Sequence, residues 1–186
     1  CLTLATVTFN TDRTNKPRAL PEGAFCGAGI EQLCLPHDFH NIGPRACENC
    51  KSLVEVNLMS TEITALLSST FAHCVALQCI WLPPRLMQIG KEVFLNCVVL
   101  QEVVIPTELS DIGNRAFCGC EQLQRFTLLD WGDVEQWVQA EHNAFFMCDK
   151  FEKPHWLELL PAEGPDSDAF DEELSHEYCQ YHASPW

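Results

Sequence analysis

Basic residues are scarce in this chain of 186 residues, where 11 Lys and Arg stand against 26 Asp and Glu for a formal charge of -15. A nucleic-acid backbone or an anionic membrane surface would be repelled by that balance, so neither is an expected partner. No apolar run reaches the roughly 18 residues of a transmembrane span, and no segment joins a basic start to a short apolar stretch as a secretion signal does. The chain opens at Cys1 rather than Met, so a targeting peptide ahead of it is left open. Catalytic signatures are missing as well: G-x-S-x-G, G-x-x-x-x-G-K-[ST] and H-E-x-x-H do not occur, and single serines and histidines are scattered. Without an activated nucleophile, a phosphate loop or paired carboxylates, the chain is not expected to be an enzyme, and no cofactor is implied.

What is present suits one folded unit with tails, since 47% of the residues are hydrophobic. The 12 cysteines are many for a reduced protein and few for a small disulfide scaffold. Two of them, with two histidines, lie in "PHDFHNIGPRACENCKSL", residues 36 to 53, which reads H-x-x-H-x6-C-x-x-C. Taken alone, His37, His40, Cys47 and Cys50 have the composition of a tetrahedral zinc site, and Cys47-x-x-Cys50 that of a redox pair.

An internal period decides between these readings. Phe71, Phe94 and Phe117 are 23 apart, and each is followed by Cys74, Cys97 and Cys120, then by Leu77, Leu100 and Leu123. Ile80, Val103 and Phe126, then Leu82, Ile105 and Leu128, complete five apolar columns. At a spacing of 24 upstream, Cys47, Cys50, Leu53, Val56 and Leu58 fall into the same frame. A further unit holds Leu20, Phe25, Ala28, Ile30, Leu33 and Leu35, and a last one Phe145, Cys148 and Phe151, giving six copies with degraded ends. Each copy predicts a short helical or turn segment followed by a strand. Gly43, Gly90 and Gly113 stand where a tight bend or a positive φ would want glycine, and Pro36, Pro83 and Pro106 close the strands. No unit can bury its apolar face alone, so stacked coils with parallel strands are expected.

The run "LPPRLMQIGKEVFLNCVVLQEVVIPTELSDIGNRAFCGCEQL" resembles the leucine-rich repeat proteins of the BspA-like, surface-antigen type, and the likeness covers about residues 18 to 156. It implies a curved right-handed solenoid, a role in adhesion or protein interaction, and no catalytic residue to carry over. The expected architecture is an α/β repeat solenoid of about six coils of 23–24 residues with one parallel β-sheet, plus an extended acidic C-terminal arm. The expected divisions are a capping strand and loop at 1–17, the solenoid at 18–157 and the arm at 158–186.

Within that frame Cys50 shares an inward column with Cys74, Cys97, Cys120 and Cys148, and Cys47 replaces the core phenylalanine. Phe39 is inward as the equivalent of Ile63, Leu86 and Leu109, which puts His37 and His40 in the loop between coils, facing out. The thiols and imidazoles then point apart, so the expectation is core rather than metal. Stacked thiols have parallel Cβ vectors and are expected free. Cys26, Cys34, Cys79 and Cys118 are expected partly exposed, which points to a reducing compartment or an organelle interior and leaves the cell surface open. Segment 2–9 reads as a capping strand and "NTDRTNKPR" as a loop.

Strand alternation turns Cys34, Asn57, Trp81, Val104 and Thr127 outward, beside Gln32, Glu55, Cys79, Glu102 and Arg125. Glu55, Asn57, Trp81, Glu102, Val104 and Arg125 are candidate partner-binding residues, with Trp81 as anchor; the same residues would also serve as strand formers on a solvated sheet. Beyond Lys153 there is no further Lys or Arg but eight acidic residues, and Phe170, Tyr178, Tyr181 and Trp186 are spaced as further anchors. His176, Cys179 and His182 form a weaker metal pattern. The function expected is a non-catalytic scaffold binding other proteins of basic or mixed surface, or alternatively an architectural subunit of a large assembly, membrane-associated or not. A zinc or redox protein using Cys47 and Cys50 is the third alternative.

Overall fold

The computed structural model describes residues 6–9, 17–128 and 137–161. These hold parallel strands joined by turns. Six strands form one sheet in the order β1 (Thr6–Thr8), β3 (Gln32–Cys34), β5 (Glu55–Asn57), β7 (Cys79–Trp81), β9 (Glu102–Ile105) and β11 (Arg125–Leu128). Their register sets Leu33 beside Val56, Val56 beside Ile80, and Val103 beside Phe126, the repeat columns expected. The inward residues of these strands are buried and their neighbours turn out, because successive side chains of a strand alternate faces.

The single expected sheet is joined by a second run of strands along another side of the coil. β6 (Ala65–Leu66), β8 (Gln88–Ile89), β10 (Asp111–Ile112), β12 (Val138–Ala140) and β13 (Leu157–Leu159) form it, while β2 (Arg18–Leu20) and β4 (Phe39–Ile42) pair at the N-terminal end. Most are only two or three residues long, too short for alternation to show in sequence. β2 takes Arg18 out of the expected loop, β4 does the same for His40, and β13 runs to Leu159, past the expected limit of the solenoid at 157. No described helix is long and apolar enough to cross a membrane.

The segment expected as helix or turn is a run of turns with a third ladder of its own. Arg45, Cys47 and Asn49 donate their N–H groups to the carbonyls of Ser68, Thr70 and Ala72 in the next coil, at 3.0, 2.8 and 2.8 Å. Ser69, Phe71 and His73 repeat this to Lys91, Val93 and Leu95. The outer two donors of each set have positive φ, for example 57° at Arg45, 59° at Asn49 and 60° at His73. Alternating left- and right-handed residues aim every second N–H along the solenoid, where it meets a carbonyl of the next coil.

Gly43, Gly90 and Gly113 are not among the positive-φ residues, which corrects that half of the expectation of a tight bend or a positive φ. They are places of close approach. A Cβ on Gly43 would stand 2.5 Å from the Glu22 nitrogen, and one on Gly90 2.8 Å from the Leu66 carbonyl oxygen of the preceding coil. Pro36, Pro83 and Pro106 close their strands as expected, and their carbonyls accept from Phe39, Leu86 and Leu109 at 3.1, 3.2 and 3.2 Å.

One continuous core runs through the coils. Phe71, Phe94, Phe117 and Phe145 stack at centroid distances of 5.8, 5.0 and 5.2 Å, an arrangement worth about 0.5–1.5 kcal/mol per pair beyond area burial. Cys47 interrupts this stack. Its coil carries Phe39 where later coils carry Ile63, Leu86 and Leu109, so ring volume lost at one core position is present at another of the same coil. Phe9, just after β1, packs on Phe39 at 4.9 Å, and the Arg18 guanidinium lies 4.5 Å from the Phe39 centroid while pairing with Asp38 at 3.2 Å. These contacts fasten the expected capping strand.

Candidate functional site on the outward sheet face

The outward columns have the order the sequence predicts. Cys34, Asn57 and Trp81 are register partners, as are Trp81 with Val104 and Val104 with Thr127. Gln32, Glu55 and Cys79 line up beside them, and Glu102 lies beside Arg125. Trp81 and Val104 are 40% and 38% exposed, side by side in adjacent strands, so an apolar pair is open to solvent on a scaffold whose other face is core. A cleft of about 300 Å³ lies there, lined by Trp81, Val104, Cys79, Glu102, Arg125 and a row of Gln78, Gln101 and Gln124. Four of the six described candidate residues are brought together; Glu55 and Asn57 lie on the adjoining strand β5, outside the lining. Phe170, Tyr178, Tyr181 and Trp186, with His176, Cys179 and His182, lie outside the described residues. The glutamine row is a feature the strand reading missed, although its spacing of 23 is visible in the sequence.

Polar groups tie the face together at its ends. Thr6 Oγ1 donates to Gln32 Oε1 at 3.2 Å, Gln32 Nε2 to Glu55 Oε2 at 3.4 Å, and Thr127 Oγ1 to Glu102 Oε1 at 3.5 Å. No ion pair among the described residues involves Glu55, Glu102 or Arg125, although Glu102 and Arg125 are register neighbours.

The zinc-like stretch does not assemble. Cys47 and Cys50 are buried while His37 and His40 are exposed. Among the described residues no group of three or more His, Cys, Asp or Glu is arranged to hold a metal ion. The inward cysteines have another use. Cys50 Sγ donates to the Phe25 carbonyl at 3.0 Å, Cys74 to Cys47, Cys97 to Phe71, Cys120 to Phe94 and Cys148 to Phe117, all between 3.0 and 3.3 Å. Each thiol thus reaches back to the phenylalanine-column carbonyl of the preceding coil. Ala28 takes the cysteine place only in the first copy, which has no earlier copy to reach.

Burial pushes the thiols of Cys74 and Cys120 well up from their ordinary value and those of Cys97 and Cys148 up to about 12, so they stay protonated. Cys47 is raised by its hydrogen bond with Cys50 and then by burial; Cys50 is lowered, because a Cys47 thiol that keeps its proton can donate to it. Both are closed off from solvent, which a disulfide-exchange pair cannot be. Cys26, Cys34 and Cys79 are exposed as expected, but Cys118 is buried. It packs with Ala72 and Leu95, and with partly buried Phe146, in a small second cluster formed by the residue after each core phenylalanine.

Comparison with known proteins places the chain among repeat proteins. The leucine-rich repeat protein of T. pallidum is 23% identical with a TM-score of 0.55, covering 73% of this chain and 72% of its own. One from Bacteroides ovatus is 20% identical with a TM-score of 0.52 over 81% of this chain, which spans 47% of that protein's length. Both likenesses concern the fold. No curated protein matches the chain. The family model described as BspA type Leucine rich repeat region matches residues 18–152 in six copies, most of the chain, and the protein therefore belongs to the BspA-type leucine-rich repeat family.

Proposed function

We propose that the chain is a non-catalytic protein-interaction module that seats a partner protein on the outward face of the six-stranded sheet, over Trp81 and Val104. The observation that carries this reading is the cleft itself: two apolar side chains exposed in register, rimmed by amides and by charges of both signs. Aromatic residues surrounded by polar groups dominate the energetics of protein interfaces, and a sheet fixed by hydrogen bonds in every coil loses little entropy on association. Glu55 and Glu102 suit basic groups and Arg125 an acidic one, which favours a partner of mixed surface. The exposed, unpaired thiols of Cys26, Cys34 and Cys79 favour a reducing compartment.

Replacing Trp81 by Ala tests this. Proteins retained by the immobilised wild-type chain are identified, and their affinity for Trp81→Ala is measured. Loss of about tenfold or more, the loss usual for a central aromatic anchor, is expected with an unchanged thermal midpoint. Equal affinity would remove Trp81 from the site.

A further inference from the structure

Resting on that reading of the face, we propose that its occupant is an extended peptide segment of the partner with alternating chemistry. A basic residue seats over Glu55, an apolar residue over Trp81 and Val104, and an acidic residue over Arg125. The segment crosses the strands, so its charge order fixes which end lies over β5 and which over β11.

Register supplies the argument. Glu55 is on β5, Trp81 on β7, Val104 on β9 and Arg125 on β11. The two charged residues belong to one outward column and the two apolar ones to the next. Adjacent strands lie roughly 4.8 Å apart, so β5 and β11 are roughly 14 Å apart. An extended chain advancing roughly 3.4 Å per residue covers that distance in about four residues. Residues one, three and five of such a segment share a face and meet the acid, the apolar pair and the base in turn.

Charge complementarity is available because neither end is already neutralised. Arg125 has no ion-pair partner among the described residues, and Glu102, its register neighbour, instead accepts the Thr127 hydroxyl. Glu55 accepts only the neutral Gln32 amide. Glu55 repels an acidic group placed over β5 and Arg125 a basic group placed over β11, so the reversed charge order is disfavoured at both ends. The row of Gln78, Gln101 and Gln124 offers donors and acceptors to the segment's own backbone, which a strand laid across the sheet leaves unpaired.

The test uses the isotope-labelled full chain and acetylated, amidated heptapeptides, so that no terminal charge competes. The mixed peptide is Ser-Lys-Ser-Leu-Ser-Glu-Ser; its controls carry Lys at both charged places or Glu at both. Binding is followed by the Trp81 indole resonance, assigned with Trp81→Phe. The mixed peptide is expected to bind about fivefold more tightly than either control at low salt, as an exposed ion pair allows. Arg125→Glu should transfer the preference to the two-lysine peptide, and Arg125→Gln should abolish the preference for the mixed over the two-lysine peptide while Glu55 still disfavours the two-glutamate one. Equal binding of the three peptides, or an unchanged order in both variants, overturns the inference and leaves the face as a binding surface. An indole that no peptide moves also overturns it, and the reading of the face then rests on the Trp81→Ala capture alone.

Discussion

A single thiol explains more of this chain than its metal-like spacing does. Cys97 is small enough for a crowded column and still carries a donor for the Phe71 carbonyl, which it reaches at 3.3 Å. Alanine would fit the column but remove one of the two donors to that buried carbonyl, which would keep the Cys74 N–H at 3.3 Å. Cys97→Ala should therefore cost about 0.5–1.5 kcal/mol in urea denaturation, whereas Cys79→Ala, at an exposed site, should be near neutral. The same thiols give the fold a signature in alkali. Cys97 and Cys148 are raised from the ordinary 9.0 to about 12 by burial, so the folded chain keeps protons that the unfolded chain sheds. Their stabilisation is whole below pH 9 and is lost as the pH climbs toward about 12. Denaturation midpoints measured across that window should fall for wild type and fall less for Cys97→Ala; identical slopes would contradict the assignment. The inward direction of these cysteines was legible from the period of 23, because column position needs only the repeat. Their hydrogen bonds were not, since an acceptor one coil away has no mark in the sequence. Cys118 was misplaced for a similar reason: its burial depends on Ala72, Leu95 and Phe146 on neighbouring coils.

Three ladders hold each coil to the next, and the sequence reading contained one of them. Strand register along the first sheet followed from alternating columns, down to the pairing of Trp81 with Val104. The second sheet was hidden because pairs such as Gln88–Ile89 and Asp111–Ile112 are shorter than any period. The turn ladder was hidden because its left-handed places are filled by Arg45, Ser69 and Glu92, residues that do not advertise positive φ as glycine does. Glycine's role was correspondingly misjudged. At Gly90 the preceding coil's carbonyl oxygen would sit 2.8 Å from an added Cβ, so Gly90→Ala must push two coils apart. We expect a loss of about 1–3 kcal/mol, the reverse of the gain alanine brings at a relaxed site. Ser69→Gly, at φ 57°, should instead be stabilising or neutral, by up to about 1 kcal/mol. The urea midpoint should fall for Gly90→Ala and rise or stay unchanged for Ser69→Gly, and a fall in both, or none for Gly90→Ala, would contradict the close-approach account.

For the molecule as a whole, the repeated geometry of stacked coils separates the residues that hold the fold from those that face solvent. Inward columns, thiols and ladders fix the solenoid, while the outward columns of the first sheet are free to carry Trp81, Val104, Glu102 and Arg125 without altering it. That division explains why the outward direction of these residues could be read from sequence while complementarity to a partner could not: a position is set by the repeat, but complementarity is a property of two surfaces. It also leaves the second sheet as an internal control, since Gln88 on β8 is as solvent-facing as Trp81 on β7 but belongs to a surface without the apolar cleft. The most direct test places a photo-crosslinking phenylalanine derivative at position 81 or at position 88 of the intact chain and irradiates each in native extract. The account predicts a discrete protein adduct from position 81 that is absent from position 88. Adducts of equal yield at both positions, or at position 88 alone, would contradict it.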